Sequence, residues 1–331
     1  MYKLYIFFLI IVLAGCKHNS PTEKYQNSRN KIVNVRDNIV EIPLEEPFVS
    51  SSADFRIVGN YFVFVDGKAY DDIIHLYDKN TCQHLVSTGS IGQGPKDITF
   101  IGSIVPNEKE NKFYLFDQGK RKLLSFDIDS LIKRPNYNFT IKTDLLYDCP
   151  VKLVYMKDDF SIALYADFNE KTGGGHLEAG SWNMITNEFV PGYENPYVKK
   201  RMYQLAASDK HGLYVTTSSR YDLMTICNLD GSLKYNIYGP NWDEEITNTC
   251  HYNLDVRIGG ENIYALYSGK HYRTGGAPTQ ILVFDLDGNY IKTLETGLHT
   301  YVIDYDEESH RLYLFTNDDI QFGYLDLAGI I

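Results

Sequence analysis

Positive charge is in short supply in this chain. Its 331 residues carry 32 Lys+Arg against 43 Asp+Glu, a formal net charge of −11, which argues against a nucleic-acid partner. Tryptophan (2) and methionine (5) are scarce. Long apolar runs are missing as well. Beyond residues 4–13 nothing approaches the eighteen or so apolar residues of a membrane helix. The nine histidines show no HxH or HxxxH spacing, and no GxSxG elbow is present. Cys82, Cys149, Cys227 and Cys250 lie too far apart for a CxxC metal knuckle and are read as free thiols. Asp158-Asp159, Glu244-Glu245 and Asp318-Asp319 are adjacent, so on strands they point to opposite faces and do not converge on one substrate atom. Gly173-Gly174-Gly175 has no following helix to make a phosphate loop. These absences leave no catalytic constellation, no metal site and no cofactor to name.

What is present begins at the N-terminus. A short basic start precedes ten apolar residues, Leu4 to Leu13. As a helix they span roughly 15 Å, half a bilayer core, the length of a signal-peptide core rather than a membrane span. Leu13-Ala14-Gly15-Cys16 follows. It resembles the bacterial lipobox, which implies cleavage before Cys16 and acylation of its thiol. Residues 1–15 are thus expected to be a lipoprotein signal peptide and residues 16–30, polar throughout, a flexible tether. The tether lacks an acidic cluster, which favours a periplasm-facing position over the cell surface.

Residues 31–331 repeat. Aromatic-rich strands around Phe64, Tyr114, Ile162, Tyr214, Tyr264 and Tyr313 recur at intervals of 50, 48, 52, 50 and 49. Most are followed by a second apolar strand closing in a turn, such as Ile281–Asp285 before Asp287-Gly288. Six repeats near fifty residues without a convincing helix predict an all-β, six-bladed β-propeller of four-stranded blades. The last repeat is one strand short. The segment from Lys31 to Ile42 is expected to supply it and close the ring, because an open ring exposes sheet edges.

With the lipobox, the six-fold period and the linker Gly92-Gln93-Gly94-Pro95 followed by Asp97, the chain resembles the TolB-like or NHL-like six-bladed propeller lipoproteins common in Bacteroidetes. The resemblance implies fold and envelope location, and little chemistry.

In a propeller, ligands meet the face built by the linkers between blades and the loops between second and third strands. Those loops hold eight Lys or Arg in 41 residues, where the chain-wide frequency gives about four. Arg121, Arg220, Tyr221, His271, Tyr272 and Arg273, with His251 in the linker before the fifth blade, are the candidate contact residues. The leading expectation is a membrane-anchored monomeric scaffold that binds an envelope protein or glycan without catalysis. The alternative is a glycan lyase or hydrolase with its site at the central channel.

Overall fold

The computed structural model describes residues 20–331, except 45, 135–136, 145–149 and 168–175. The lipobox, Cys16, Cys149 and Gly173–Gly175 lie outside the described residues.

Six antiparallel sheets form six blades in a ring. Blade 1 runs through Asp54–Val58, Tyr61–Val65, Ile74–Asp78 and His84–Thr88. Blade 2 comprises Ile101–Asn107, Lys112–Asp117, Lys122–Asp127 and Thr140–Asp144, and blade 3 Lys152–Lys157, Phe160–Asp167, His176–Asn183 and Phe189–Pro191. Blade 4 is Tyr203–Ser208, Leu213–Ser218, Leu223–Asn228 and Leu233–Tyr238, and blade 5 Thr249–Gly259, Asn262–His271, Gln280–Asp285 and Tyr290–Glu295. Blade 6 has Thr300–Asp306, Arg311–Thr316 and Phe322–Asp326. The first strand of each blade packs against the first strands of its neighbours, so these six line the axis.

The continuous apolar runs of the second strands follow from this geometry. Side chains alternate between two faces, and each face meets a different neighbouring blade. Phe62 and Phe64 enter the seam with blade 6, whereas Val63 and Val65 enter the seam with blade 2. In blade 5, Tyr264 and Leu266 face blade 6 and Ile263 and Ala265 face blade 4. Each buried side chain of this size contributes about 1.5–3 kcal/mol. The closing seam is the most aromatic: Phe55, Phe64 and Phe322 pack with ring centroids 5.2–5.6 Å apart.

Ring closure is as expected. Ile39–Glu41 pairs antiparallel with Phe322–Asp326 as the fourth strand of blade 6. The expected single strand from Lys31 to Ile42 is, however, divided. Ile32–Asn34 adds in parallel to the outside of blade 5, and a 3-10 turn at Arg36–Asn38 carries the chain on to blade 6. The expected tether also needs correction, because from Ser20 onward it is fixed. Glu23–Tyr25 adds in parallel to the outside of blade 4. Tyr25 stacks on Tyr238 at 4.5 Å, and Arg29 forms a buried ion pair with Asp222 at 2.7 Å. Backbone pairing holds this strap, so its side chains can stay polar.

One short helix, Ile128–Lys133, follows the third strand of blade 2. The Asp127 carboxylate caps it by accepting from Ser130 N, and it buries Ile128 and Leu131. The Gly92–Pro95 linker is a structural turn. The Asp97 carboxylate accepts from Gly94 N and Ser90 Oγ. It sits so close that a Cβ on Gly92 would come within 2.3 Å of it, which explains the glycine there. Among the described residues no helix is long and apolar enough to cross a membrane.

Candidate functional site

The linkers and second-to-third-strand loops share one face, termed here the linker face; the first-to-second-strand turns share the opposite one. On the linker face the structure brings together four of the seven expected contact residues. The second strand of blade 5 runs past its third-strand partner to His271, still paired with Thr249 of the first strand, and Tyr272 N donates to Asn248 O, tying this loop to the linker before the blade. Arg220 from blade 4 lies over the Tyr272 ring, 4.8 Å from its centroid, and Arg273 lies 5.3 Å from the same centroid. His271 stacks on Tyr272 at 5.2 Å. Neither guanidinium takes an ion pair among the described residues, and Arg220 Nε is buried without a hydrogen-bond partner. Two cations thus share one ring.

The other three expected residues do not join this group. Tyr221 is a buried core residue packed beside Trp242, and its hydroxyl accepts from Lys199 N. His251 is buried against Tyr267, whose hydroxyl lies 3.3 Å from Nδ1. Burial holds its imidazole below the ordinary range, with Asp222 opposing and Arg29 reinforcing the shift. His251 lies in the polar seam between blades 4 and 5 with Arg29 and Asp222, whereas Tyr221 belongs to an apolar cluster with Val198, Leu223 and Tyr238. Arg121 is exposed on blade 2, two blades away, at the left-handed position of a tight turn.

The channel holds a second concentration of charge that sequence reasoning missed. Arg56, Lys152, Arg257 and the carboxylates of Asp54, Asp255 and Asp304 come from the innermost strands of blades 1, 3, 5 and 6. Asp255 is the hub. Its carboxylate lies 3.2 Å from Lys152 Nζ, 2.9 Å from an Arg257 nitrogen and 3.6 Å from an Arg56 nitrogen. Arg257 also reaches Asp304 at 3.0 Å, and Arg56 reaches Asp54 at 2.9 Å. Asp255 is in place because its strand is bulged: register slips between Tyr252 and Val256, and Leu254 takes φ +69°. Although burial works against ionisation, Arg257, Lys152 and Arg56 bring the Asp255 carboxyl down to about 2. At Asp304 burial outweighs Arg257 and Arg56 and raises the carboxyl. Every belt carboxylate lies within ion-pair distance of a belt cation.

The belt divides the channel. A cavity of about 270 Å³ opens toward the linker face, lined by Asp54, Ser103, Asp255 and Tyr301 among others. A cavity of about 320 Å³ opens toward the opposite face, and both share Arg56 and Lys152. The described residues contain no group of His, Cys, Asp and Glu arranged to hold a metal. His211 and His310 sit in turns on the opposite face, paired with Gly260 O and the Tyr305 hydroxyl. Asp285–Asn289, which has the look of a calcium loop, is a hairpin turn: Asp285 Oδ1 accepts from Asp287 N and Asn289 N, and Gly288 takes φ +78°.

Comparison with solved structures finds other propellers. A member of the DUF4221 family from Bacteroides vulgatus superposes with a TM-score of 0.61 at 14% identity, covering 90% of this chain and 98% of that one. A predicted exported protein from Bacteroides fragilis gives a TM-score of 0.57 at 8% identity, over 88% of each chain. The β-propeller domain of the Myceliophthora thermophila protein Cps50 (Swd1) gives 0.51 at 12% identity, covering 87% of this chain and 99% of that one. The likeness is one of fold. No protein-family model matches the sequence, and no curated protein matches it. Cys82, Cys227 and Cys250 are free, and burial pushes the Cys227 thiol up to about 11, well above the range of a reactive thiolate.

Proposed function

We propose that this chain is a lipid-anchored, non-catalytic propeller of the bacterial envelope, of the TolB-like or NHL-like type, that docks an acidic partner protein on its linker face. The observation that carries the reading is the Arg220–Tyr272–Arg273 group, two uncompensated guanidiniums on one exposed ring in a chain of net charge −11. The Tyr272 ring already has Arg220, Arg273 and His271 against it. What the group offers outward is therefore N–H donors for carboxylates rather than a bare ring for a neutral sugar to stack on. A protein partner suits the rest of this face. Phe48, Tyr70 and Phe100, in the linkers and loop around blade 1, are 80%, 99% and 61% exposed. These rings lie across the ring from Arg220 and Arg273 but share their face, so the face offers a protein both apolar rings and free guanidiniums.

The anchor rests on Leu13-Ala14-Gly15-Cys16, with Cys16 acylated, the chain held to the outer membrane and the propeller facing the periplasm. Likeness to an exported Bacteroides propeller is in keeping with export.

The test is retention on immobilised poly-L-glutamate at low ionic strength. The wild-type chain is expected to bind despite its own negative charge and to elute as salt rises. Arg220→Ala with Arg273→Ala is expected to lower retention about tenfold, equivalent to about 1.4 kcal/mol, without changing the melting temperature. Equal retention of the double variant removes the assignment.

A further inference from the structure

The strap along the outside of blades 4 and 5 presents a surface that docking on the linker face does not use. We propose that this rim lies against the lipid bilayer, so that the propeller stands edge-on, its axis along the membrane plane and both faces open to water. The proposal rests on the reading of Cys16 as the acylated residue. Cys16 and Ser20 are four residues apart, a reach of at most about 14 Å. From Ser20 onward the strap is fixed. Asn236 N donates to Thr22 O, Gln26 N donates to Tyr238 O, and Arg29 holds Asp222. The bilayer therefore meets the molecule close to Ser20.

That point is on the outside of the ring. Glu23–Tyr25 is the outermost strand of blade 4, four strands beyond the one that lines the axis, or about 19 Å at the usual strand spacing. It runs parallel to Leu233–Tyr238, with Glu23 opposite Asn236 and Tyr25 opposite Tyr238. That neighbour runs toward a linker, so the strap enters from the end away from the linkers. A short anchor entering there holds the linker face off the bilayer. The opposite face is unsuited for another reason. Its first-to-second-strand turns carry eight Asp or Glu, Glu108, Asp158, Glu261 and Glu307 among them, against two Lys. Anionic headgroups repel such turns.

The rim between the two faces has the complementary make-up. Tyr25 on blade 4 and Ile32 and Val33 on blade 5 stand on outermost strands, 56%, 57% and 40% exposed. Around them the charge is positive. Residues 17–34 carry Lys17, Lys24 and Lys31 against Glu23 alone, with Arg29 spent on the buried Asp222. The rest of the chain carries a large excess of acid. Lys24 Nζ lies 3.6 Å from the centroid of the Tyr235 ring, and the carboxylate of nearby Asp287 is taken by Lys234 at 3.0 Å. Past Asn34 the strap turns acidic again at Asp37 and Glu41, which bounds the surface at blade 5. Exposed aromatic and aliphatic side chains interspersed with lysine suit the headgroup region of a bilayer, where the apolar parts sink and the ammonium groups meet phosphate.

The test places one new indole on each surface of the full acylated chain, bound to vesicles of phosphatidylethanolamine and phosphatidylglycerol. Ile32→Trp reports on the rim, Lys109→Trp on the opposite face and Phe100→Trp on the linker face, all at exposed positions. The buried Trp182 and half-buried Trp242 give a background that is read from the unsubstituted chain. Bromine on the lipid acyl chains quenches an indole only at close range. Brominated lipid is expected to quench the added emission of Ile32→Trp by at least half and to leave that of the other two unchanged. Quenching of Lys109→Trp or Phe100→Trp as strong as that of Ile32→Trp overturns the proposal and identifies the face that lies on the bilayer. Quenching at none of the three overturns it as well, and leaves the rim to water or to a protein. Mass spectrometry of Cys16 and flotation with the vesicles tell this failure from failure of the anchor. A chain that is not acylated and does not float loses the anchored reading and the orientation together. An acylated, floating chain with the wrong quenching pattern loses the orientation alone.

Discussion

The belt across the channel and the group around Tyr272 both gather cations from different blades, yet they are built on opposite rules. In the belt, Arg56, Lys152 and Arg257 converge on Asp255, a carboxylate 2% exposed, and each charge is met within the fold. On the linker face, Arg220 and Arg273 converge on a ring and take no ion pair among the described residues. The difference separates charge that holds the molecule together from charge available to something else. A buried ion pair adds little net stability over an apolar substitute, but removing one member strands its partner in a low-dielectric interior. An arginine without an ion pair, exposed like Arg273 or half-buried like Arg220, can be removed at little cost to the fold.

The largest effect expected from breaking this contrast is therefore at the hub. Asp255→Asn strands three cations in the channel and is expected to cost about 5 kcal/mol, read as a fall of at least 10 °C in melting temperature. A fall below 2 °C would show that the belt is not the structural member of the pair. Next comes Arg29→Ala, which leaves the fully buried Asp222 without its cation and is expected to cost about 3 kcal/mol. It also tests whether the strap is part of the fold. Smaller again is a pH effect. Burial lowers the imidazoles of His75, His84 and His251 below their ordinary value of 6.5. Such a group resists protonation in the folded state while the unfolded chain accepts it. The stability it allows is thus fully present above about pH 6.5 and lost as pH falls below that value. Thermal scans should be flat from pH 8 to 7 and decline from 6.5 toward 5, and His251→Gln should make the decline shallower. Smallest is the loss of Arg220 and Arg273 together, expected to shift stability by less than about 0.5 kcal/mol.

The six-bladed ring was legible because the second strands bury both faces, which writes a run such as Tyr61–Val65 into every repeat. The Arg220 and Tyr272 loops were legible as composition, but Tyr221 and His251 beside them were not told apart from contact residues. Their burial depends on Tyr238 and Trp242 packing on Tyr221, and on Tyr267 and the distant Arg29 reaching the surroundings of His251. The belt stayed hidden because its members lie on four strands spread from Asp54 to Asp304, and its hub depends on a bulge at a leucine, a residue with no left-handed preference. One signal was there to use. Asp54-Phe55-Arg56-Ile57 and Asp255-Val256-Arg257-Ile258 repeat an Asp-x-Arg pair on the first strands of blades 1 and 5, and a spacing of two puts both charges on one side of a strand. The strap was illegible for the opposite reason: held by its backbone, it has a composition indistinguishable from a loose linker.

That strap gives the fold an order in time. Glu23 is made 213 residues before Asn236, whose side chain it meets, and at 5–20 residues per second the interval is roughly 10–40 s. Ile39–Glu41 waits for the third strand of blade 6, almost the last, before the ring can shut, and the strap ahead of it waits for the outer strand of blade 4. Its exposed polar side chains suit a segment that must stay in water, unpaired, until its partners exist.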